Sequence, residues 1–314
     1  MTVIGALTQP VSTLAATLGG IPAIVHSGTA QGAADDSLTL AAAASAVDDY
    51  YKWMRVRITG GPGAGQERVI LASRSNHLPY AEDFRNTAEA GGTRPWINSG
   101  VDLTADSIAA PDGNTTADLL IAATTTNRHT RYQTPTITDK SDDLSNTVYG
   151  RHSAGAIYLT VYIAEGGFQG ANRFGKTFDL QTGTVAPPNA ADDTGTAVLL
   201  SSAIVDAGGG WWQATVRGNL GASGSSAVSF AYAVNNGFGG GSIGSTWLGD
   251  GTSGLYLWGA HGNVGAAPEF YIPTLGGAAV GIQIDRPWIV RPDATSTYEI
   301  YLPGATAVGA LSQP

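Results

Sequence analysis

The chain of 314 residues contains no cysteine. Its composition therefore excludes a disulfide framework, a thiolate metal site and a cysteine nucleophile. Charge is also scarce, because only 13% of the residues are charged and the 16 Lys and Arg are outnumbered by 25 Asp and Glu. A formal net charge of −9 without a basic cluster lacks the positive surface that nucleic-acid phosphates require. We therefore expect no nucleic-acid partner.

Long apolar runs are absent as well. The first 25 residues hold apolar stretches but no preceding basic segment, and Pro10, Gly19, Gly20 and Pro22 interrupt any helix before it could span a bilayer. We expect neither a signal peptide nor a membrane anchor. Residues 1–25 are interpreted as an N-terminal strap or docking arm, with a flexible tail as the alternative.

What the sequence does contain is glycine, 43 residues of it, and short β-patterns between turns. The run GGPGAGQ lacks the Lys-Ser/Thr of a P-loop and precedes no helical pattern, so it predicts a hairpin turn. The more charged segment Asp139–Arg151 is predicted to be a loop.

No amphipathic helix is evident in the sequence. Alternation of polar and apolar residues, with β-branched and aromatic residues among them, predicts strands. The predicted strands are Ser37–Leu40, Lys52–Thr59, Glu67–Leu71, Ala117–Ala122, Ala156–Ala164, Trp211–Val216, Ala227–Val234 and Leu255–Trp258.

Eight or more short strands separated by turn signals predict an all-β fold, an antiparallel β-sandwich of the jelly-roll kind. Several blocks add a resemblance. The blocks GTAQ, LTLAAAASAVDDYY and MRVRITGGPGAGQERVI resemble a small β-module of tailed-bacteriophage virion proteins. In that family a segment like APDATSTYEI closes the module directly, whereas here RPWIVRPDATSTYEIY ends about two hundred residues later. The blocks YAEDF, PDGNTTADLL and LGDGTSGLYLWG resemble lectin-like, concanavalin A-like jelly-roll modules of phage virion proteins.

The order of these blocks implies an insertion, which exposed loops tolerate well. The expected domains are a small split β-module for virion docking, formed by residues 26–76 and 279–301, and an inserted jelly-roll at residues 77–278. Residues 302–314 are expected to form a C-terminal tail.

The resemblance implies a virion location and a structural protein exposed on the particle surface, such as a decoration protein, a fibre or a tail accessory subunit. Its expected partners are other virion proteins, further copies of itself, commonly in a trimer, and host-surface glycans bound weakly through many copies. We expect no enzymatic activity. Two alternatives stay open: a purely architectural protein that stabilises the capsid or tail, and a glycan-degrading depolymerase.

Late aromatic residues are the candidate binding site. Aromatic rings can stack on the C–H faces of sugars, and we select Trp247, Trp212 and Tyr256 as glycan-binding residues, with Trp247 expected to be the most exposed. The alternative is that Trp258 and one tryptophan of the Trp211–Trp212 pair pack in the core. An exposed aromatic platform would favour glycan binding, whereas a sandwich with buried tryptophans would favour architecture.

Other reactive side chains form no recognisable motif. The five histidines stand far apart, which disfavours a zinc site. Acidic doublets such as Glu82–Asp83 place neighbouring carboxylates on opposite faces of a strand, and no nucleophile elbow is present. We therefore predict no catalytic residue and no cofactor, although the lectin-like resemblance is compatible with a structural calcium whose ligands the sequence does not identify.

Overall fold

The fold is all-β. A computed structural model describes residues 23–85, 95–137, 143–155, 158–167, 170–188, 192–221, 227–238, 245–265, 270–274 and 276–302. Every regular element in these ranges is a β-strand, and the strand pairs with a known register are antiparallel. The predicted antiparallel β-sandwich is thereby confirmed. Most of the N-terminal strap and of the C-terminal tail lies outside the described residues.

The chain forms two compact units. The smaller, here called the split unit, comprises residues 1–41, 51–72 and 283–314. The larger, the sandwich unit, comprises residues 42–50 and 73–282. The sandwich unit thus lies, in sequence, between segments of the split unit.

One seven-stranded sheet contains most strands of the split unit. Its strands are β1 (Ile24–Thr29), β2 (Gly32–Ala34), β3 (Ser37–Thr39), β4 (Arg55–Gly60), β5 (Glu67–Asn76), β21 (Ala279–Ile284) and β22 (Thr297–Tyr301). They run in the order β1-β22-β4-β5-β21-β3-β2. The glycine-rich run joins β4 to β5 in an antiparallel hairpin, as predicted, and Gly61, Gly63 and Gly65 in this turn have positive φ angles.

Two further sheets form the sandwich, together with a two-stranded ribbon. The seven-stranded one contains β6 (Ile97–Ser99), β10 (His129–Gln133), β12 (Tyr158–Glu165), β13 (Arg173–Asp179), β14 (Thr184–Val185), β15 (Asp193–Thr194) and β18 (Val228–Asn235). The six-stranded one contains β7 (Val101–Ala109), β8 (Thr115–Ala122), β11 (Leu144–Ala154), β16 (Val198–Gly208), β17 (Trp211–Asn219) and β20 (Gly254–Val264). The ribbon is β9 (Thr126–Asn127) with β19 (Trp247–Leu248).

The strand order identifies the edge strands of the sandwich. The seven-stranded sheet runs β14-β13-β12-β18-β10-β6, with β15 also paired to β13. The six-stranded sheet runs β16-β17-β11-β20-β8-β7. Strands β14 and β16 are therefore edge strands. Because side chains alternate along a strand, one face of each sheet supplies the core, which includes Val161, Phe230, Val148, Val216 and Leu257.

Two sequence predictions need correction. The predicted loop Asp139–Arg151 is wrong from Leu144 onward, because these residues belong to β11, which pairs with both β17 and β20. The polar residues Ser145, Asn146 and Thr147 interrupt the apolar pattern of this strand, but they are buried and hydrogen-bonded. The Asn146 side-chain amide, for example, donates to the Tyr162 carbonyl at 3.0 Å. The predicted strand Lys52–Thr59 begins only at Arg55, because Trp53 has a left-handed φ of 67° that a strand does not accept.

Candidate functional site on the outer face of the sandwich

The three predicted glycan-binding residues lie in three different places. Tyr256 lies on the outer face of the six-stranded sheet, whereas Trp212 packs against the core on the inner face. The Trp212 ring covers the turn at Gly183, where an added Cβ would lie 2.1 Å from it. Trp247 in β19 is partly buried, and its ring meets the imidazole of His129 edge-on at 4.5 Å between centroids. Glycan binding by these three residues stays a prediction, but the structure does not bring them together.

The outer face instead carries an aromatic cluster that includes only Tyr256 of the three. This outer aromatic cluster consists of the buried Trp211 and Trp258, the partly buried Tyr149, Tyr256 and Tyr271, and the small residues Ala110 and Ala117 with Ile108. The Trp258 ring centroid lies 4.4 Å from that of Tyr271 and 5.3 Å from that of Tyr149. These separations are typical of favourable aromatic pairs.

Strand register explains why the rings meet. Tyr149 of β11 and Trp258 of β20 are directly paired, so their side chains emerge on the same face. The register shifts immediately afterwards, at Gly259, whose φ is 66°. A Cβ at Gly259 would lie 3.0 Å from the Tyr149 ring, so glycine permits both the bulge and the close packing. The bulge then returns Ala260 to the inner core.

Hydrogen bonds hold three rings of the cluster. The Trp258 indole donates to the Thr116 hydroxyl at 3.0 Å, and the Trp211 indole donates to the Ala109 carbonyl at 3.3 Å. The Gln213 side-chain amide donates to the Tyr149 hydroxyl at 3.2 Å. These bonds orient the rings of Trp211, Trp258 and Tyr149.

Glu82 is the carboxyl group at the border of the outer aromatic cluster. The Tyr271 hydroxyl donates to its Oε1 atom at 3.1 Å. Burial raises the pKa of Glu82, and the nearby Asp112 charge adds to this, whereas the hydrogen bond from Tyr271 opposes it. A carboxyl group that stays protonated more readily than usual can donate a proton to a bound group.

The sequence could not single out Glu82. It is adjacent to Asp83 in a doublet, but Asp83 has a separate role in an ion pair with Arg85 at 2.7 Å. The partner Tyr271 is 189 positions away in sequence. The signal that distinguishes Glu82 is therefore spatial.

A second buried carboxyl group, Asp118 of β8, faces the inner side. It accepts the backbone N–H groups of Phe84 at 2.8 Å and Asp106 at 3.0 Å. Burial raises the pKa of Asp118 to about 7, against the lowering effect of these bonds. Its two hydrogen bonds give this group a structural role.

Within the described ranges, no three His, Asp or Glu side chains come together in a group that could hold a metal ion. No helix in the same ranges is long and apolar enough to cross a membrane.

Comparison with known proteins gives little further information. No protein-family model matches the sequence, and no curated protein matches it. A solved structure that the chain partly matches is the crystal structure of the enzymatically active domain of tailspike protein 4 of bacteriophage CBA120. The identity is 12% and the TM-score 0.32, and the match covers 60% of this chain but 21% of that chain.

This comparison corrects one prediction. The expectation that the chain has no enzymatic activity is withdrawn, because the matched domain is described as enzymatically active. A likeness of this degree assigns no particular reaction or substrate to the present chain.

Proposed function

We propose that the chain is a structural component of a tailed-phage virion, attached through its split unit. The observation that carries this proposal is the distribution of aromatic exposure. In the sandwich unit Trp96, Trp211 and Trp258 are no more than 3% exposed, and Trp212 and Trp247 are partly buried. Buried tryptophans are the arrangement that favours an architectural role over glycan binding. The most exposed tryptophan among the described residues, Trp53 at 64%, belongs to the split unit.

Charge distribution supports the same proposal. The split unit has six Lys and Arg against six Asp and Glu, so the sandwich unit has the remaining ten against nineteen and carries the whole net charge of −9. A neutral unit can be buried against a partner without removing excess charge from water. An acidic unit stays hydrated and repels unrelated acidic surfaces. We therefore propose the split unit as the attachment and the sandwich unit as the exposed part.

Quantitative mass spectrometry of purified particles of the phage that carries this gene tests the proposal. The chain should co-purify with the particles at a fixed ratio to the major capsid and tail-tube proteins. A ratio near one would indicate a repeated coating subunit, whereas a few copies would place the chain at a tail tip or unique vertex. Absence from purified particles would contradict the virion role.

A second function, recognition or cleavage of glycans on the outer aromatic cluster, is favoured by Glu82. Three partly buried tyrosines surround the buried Trp211 and Trp258, and the pKa of the Glu82 carboxyl is raised. Glycoside hydrolysis requires a protonated carboxylic acid and a second carboxylate. Glu82 would be the acid, and Asp112 is the carboxylate whose charge acts on it.

Incubation with bacterial surface polysaccharides tests this second function. If Glu82 is the acid, Glu82→Gln should reduce release of reducing ends by about 100-fold or more. It should keep polysaccharide binding, since glutamine can still accept from Tyr271. Tyr256→Ala should reduce binding itself. Asp206→Asn, at an exposed carboxylate on β16 of the six-stranded sheet, is the matched control. Equal release by Glu82→Gln and the control would refute the assignment.

A further inference from the structure

A loop of the split unit presents two apolar side chains to solvent. This tip loop comprises residues 286–291, between β21 and β22. Ile289 is 86% exposed and the adjacent Val290 is 53% exposed. Arg286 and Arg291, both exposed, flank this pair, and an Arg291 nitrogen lies 4.0 Å from a carboxylate oxygen of Asp35. The tip loop therefore combines an apolar centre with the positive charge of Arg286 on one side and an Arg291–Asp35 ion pair on the other.

The tip loop is held by two side chains of the β4–β5 hairpin. The Gln66 amide accepts the Ile289 N–H at 2.7 Å and donates to the Val290 carbonyl at 2.7 Å. The Arg68 guanidinium, in a buried residue, donates to the Pro287 carbonyl at 2.8 Å and lies 5.2 Å from the Trp288 ring centroid. A loop fixed in this way loses little conformational entropy when it binds a partner.

The sandwich unit contains a groove with complementary properties. This edge groove has a volume of about 580 Å³ and lies beside the edge strands β14 and β16. Its apolar lining is Val185, Ala186, Pro187, Pro188, Leu199 and Leu200. Leu200 is 53% exposed, which is high for leucine in a folded domain.

The charged lining of the edge groove is mainly acidic. Asp192 and Asp193 line it, together with Lys176. Lys176 is 4% exposed and is already neutralised by an ion pair with Asp192. Because that ion pair is neutral, the remaining charge of the groove is that of Asp193. The groove therefore offers apolar surface beside one negative charge, which matches the apolar pair and Arg286 of the tip loop.

We propose that the tip loop of one copy of this chain binds in the edge groove of a second copy. Ile289 and Val290 contact the apolar lining, and Arg286 lies near Asp193. Such a contact is heterologous, because it joins different surfaces of the two copies, and it generates a closed ring or an open chain of copies. The proposal concerns self-association alone and is independent of the proposed virion function.

Sedimentation analysis of the purified full chain tests the contact. The wild type should associate with increasing concentration. Ile289→Asp in the tip loop and Leu200→Asp in the edge groove should each weaken association roughly tenfold or more. Each has a matched control with similar exposure outside the two surfaces: Ile24→Asp, where Ile24 is 56% exposed, and Val205→Asp, where Val205 is 55% exposed. Both controls should associate like the wild type.

Mixing the two defective variants distinguishes this contact from any other. The Leu200→Asp copy retains an intact tip loop and the Ile289→Asp copy retains an intact edge groove, so the mixture should form one-to-one pairs and nothing larger. A wild type that stays monomeric throughout the accessible concentration range would overturn the proposal. So would unchanged association of either variant, or a mixture that forms no pairs.

Discussion

The Tyr232 hydroxyl donates a hydrogen bond of 2.6 Å to the side-chain oxygen of Asn146. Tyr232 belongs to β18 of the seven-stranded sheet and Asn146 to β11 of the six-stranded sheet, so this bond joins the two layers inside the core. The Asn146 amide group in turn donates to the Tyr162 carbonyl at 3.0 Å. Both side chains are fully buried, and every step of this polar bridge is satisfied.

Removal of the Tyr232 hydroxyl should therefore destabilise the sandwich unit. Tyr232→Phe leaves the buried Asn146 oxygen without this donor, and we expect a loss of about 1 to 3 kcal/mol in the free energy of unfolding. Urea denaturation followed by tryptophan fluorescence would measure it. Tyr256→Phe, on the partly exposed outer face, is the control and should change stability by less than about 0.5 kcal/mol. Equal midpoints for the two variants would contradict the bridge.

The same bridge shows what the sequence could and could not predict. Alternation and β-branched residues predicted β8, β12, β17, β18 and β20 because each strand presents an apolar face to the core. Strand β11 escaped prediction, because its polar side chains are satisfied by residues far away in sequence, such as Thr215 for Thr147 at 3.0 Å. A local pattern contains no information about such partners.

The candidate site was less predictable than the fold. A period of two shows that Tyr256 and Trp258 share a face, and the structure places both on the outer one. It does not show whether that face is covered, so the burial of Trp258 and the partial burial of Trp247 could not be derived. The exposed Trp53 and Ile289 were missed, because exposure in a turn or loop depends on neighbouring segments.

The buried His261 should make stability depend on pH. Its Nε2–H donates to the Ser75 carbonyl at 3.0 Å, and burial lowers the pKa of His261 to about 3. The unfolded chain, with a pKa of about 6.5, takes up the proton first as pH falls, so stability decreases by about 1.4 kcal/mol per pH unit below that value. From about pH 7 to about pH 5 this amounts to about 2 kcal/mol.

Comparison with His261→Gln isolates this effect. The raised pKa of Asp118 acts in the opposite direction, because its stabilisation of the fold is lost as pH rises toward 7. That contribution is present in both proteins and cancels in the difference. The difference in unfolding free energy between wild type and variant should therefore shrink by about 2 kcal/mol on acidification to about pH 5. A difference that stays constant with pH would show that His261 titrates normally in the folded state.

Gly183 should be intolerant of a side chain for two separable reasons. Its φ is 68°, a backbone conformation that costs an L-residue about 1 kcal/mol or more. In addition, an added Cβ would lie 2.1 Å from the Trp212 ring. Gly113 is the matched control, since its φ is 88° but nothing lies within 4 Å of an added Cβ. Gly183→Ala should lower the free energy of unfolding by about 1 to 3 kcal/mol more than Gly113→Ala. Equal losses would mean that the Trp212 ring moves aside freely.

The ion pair of Lys176 and Asp192 should be stabilising only while both partners are present. The Lys176 ammonium is 4% exposed and donates to Asp192 and, at 3.0 Å, to the Pro187 carbonyl. Asp192→Asn leaves the buried ammonium without a counter-charge and should cost about 3 to 5 kcal/mol. Lys176→Met replaces the ammonium with an apolar chain of similar length. It should cost less stability, because Asp192 is 15% exposed and can be hydrated.

In the double variant of Lys176→Met and Asp192→Asn no buried charge remains at this site, so its stability should exceed that of Asp192→Asn alone. Chemical denaturation of the four proteins gives the coupling energy, and additive losses would show that the two charges do not interact.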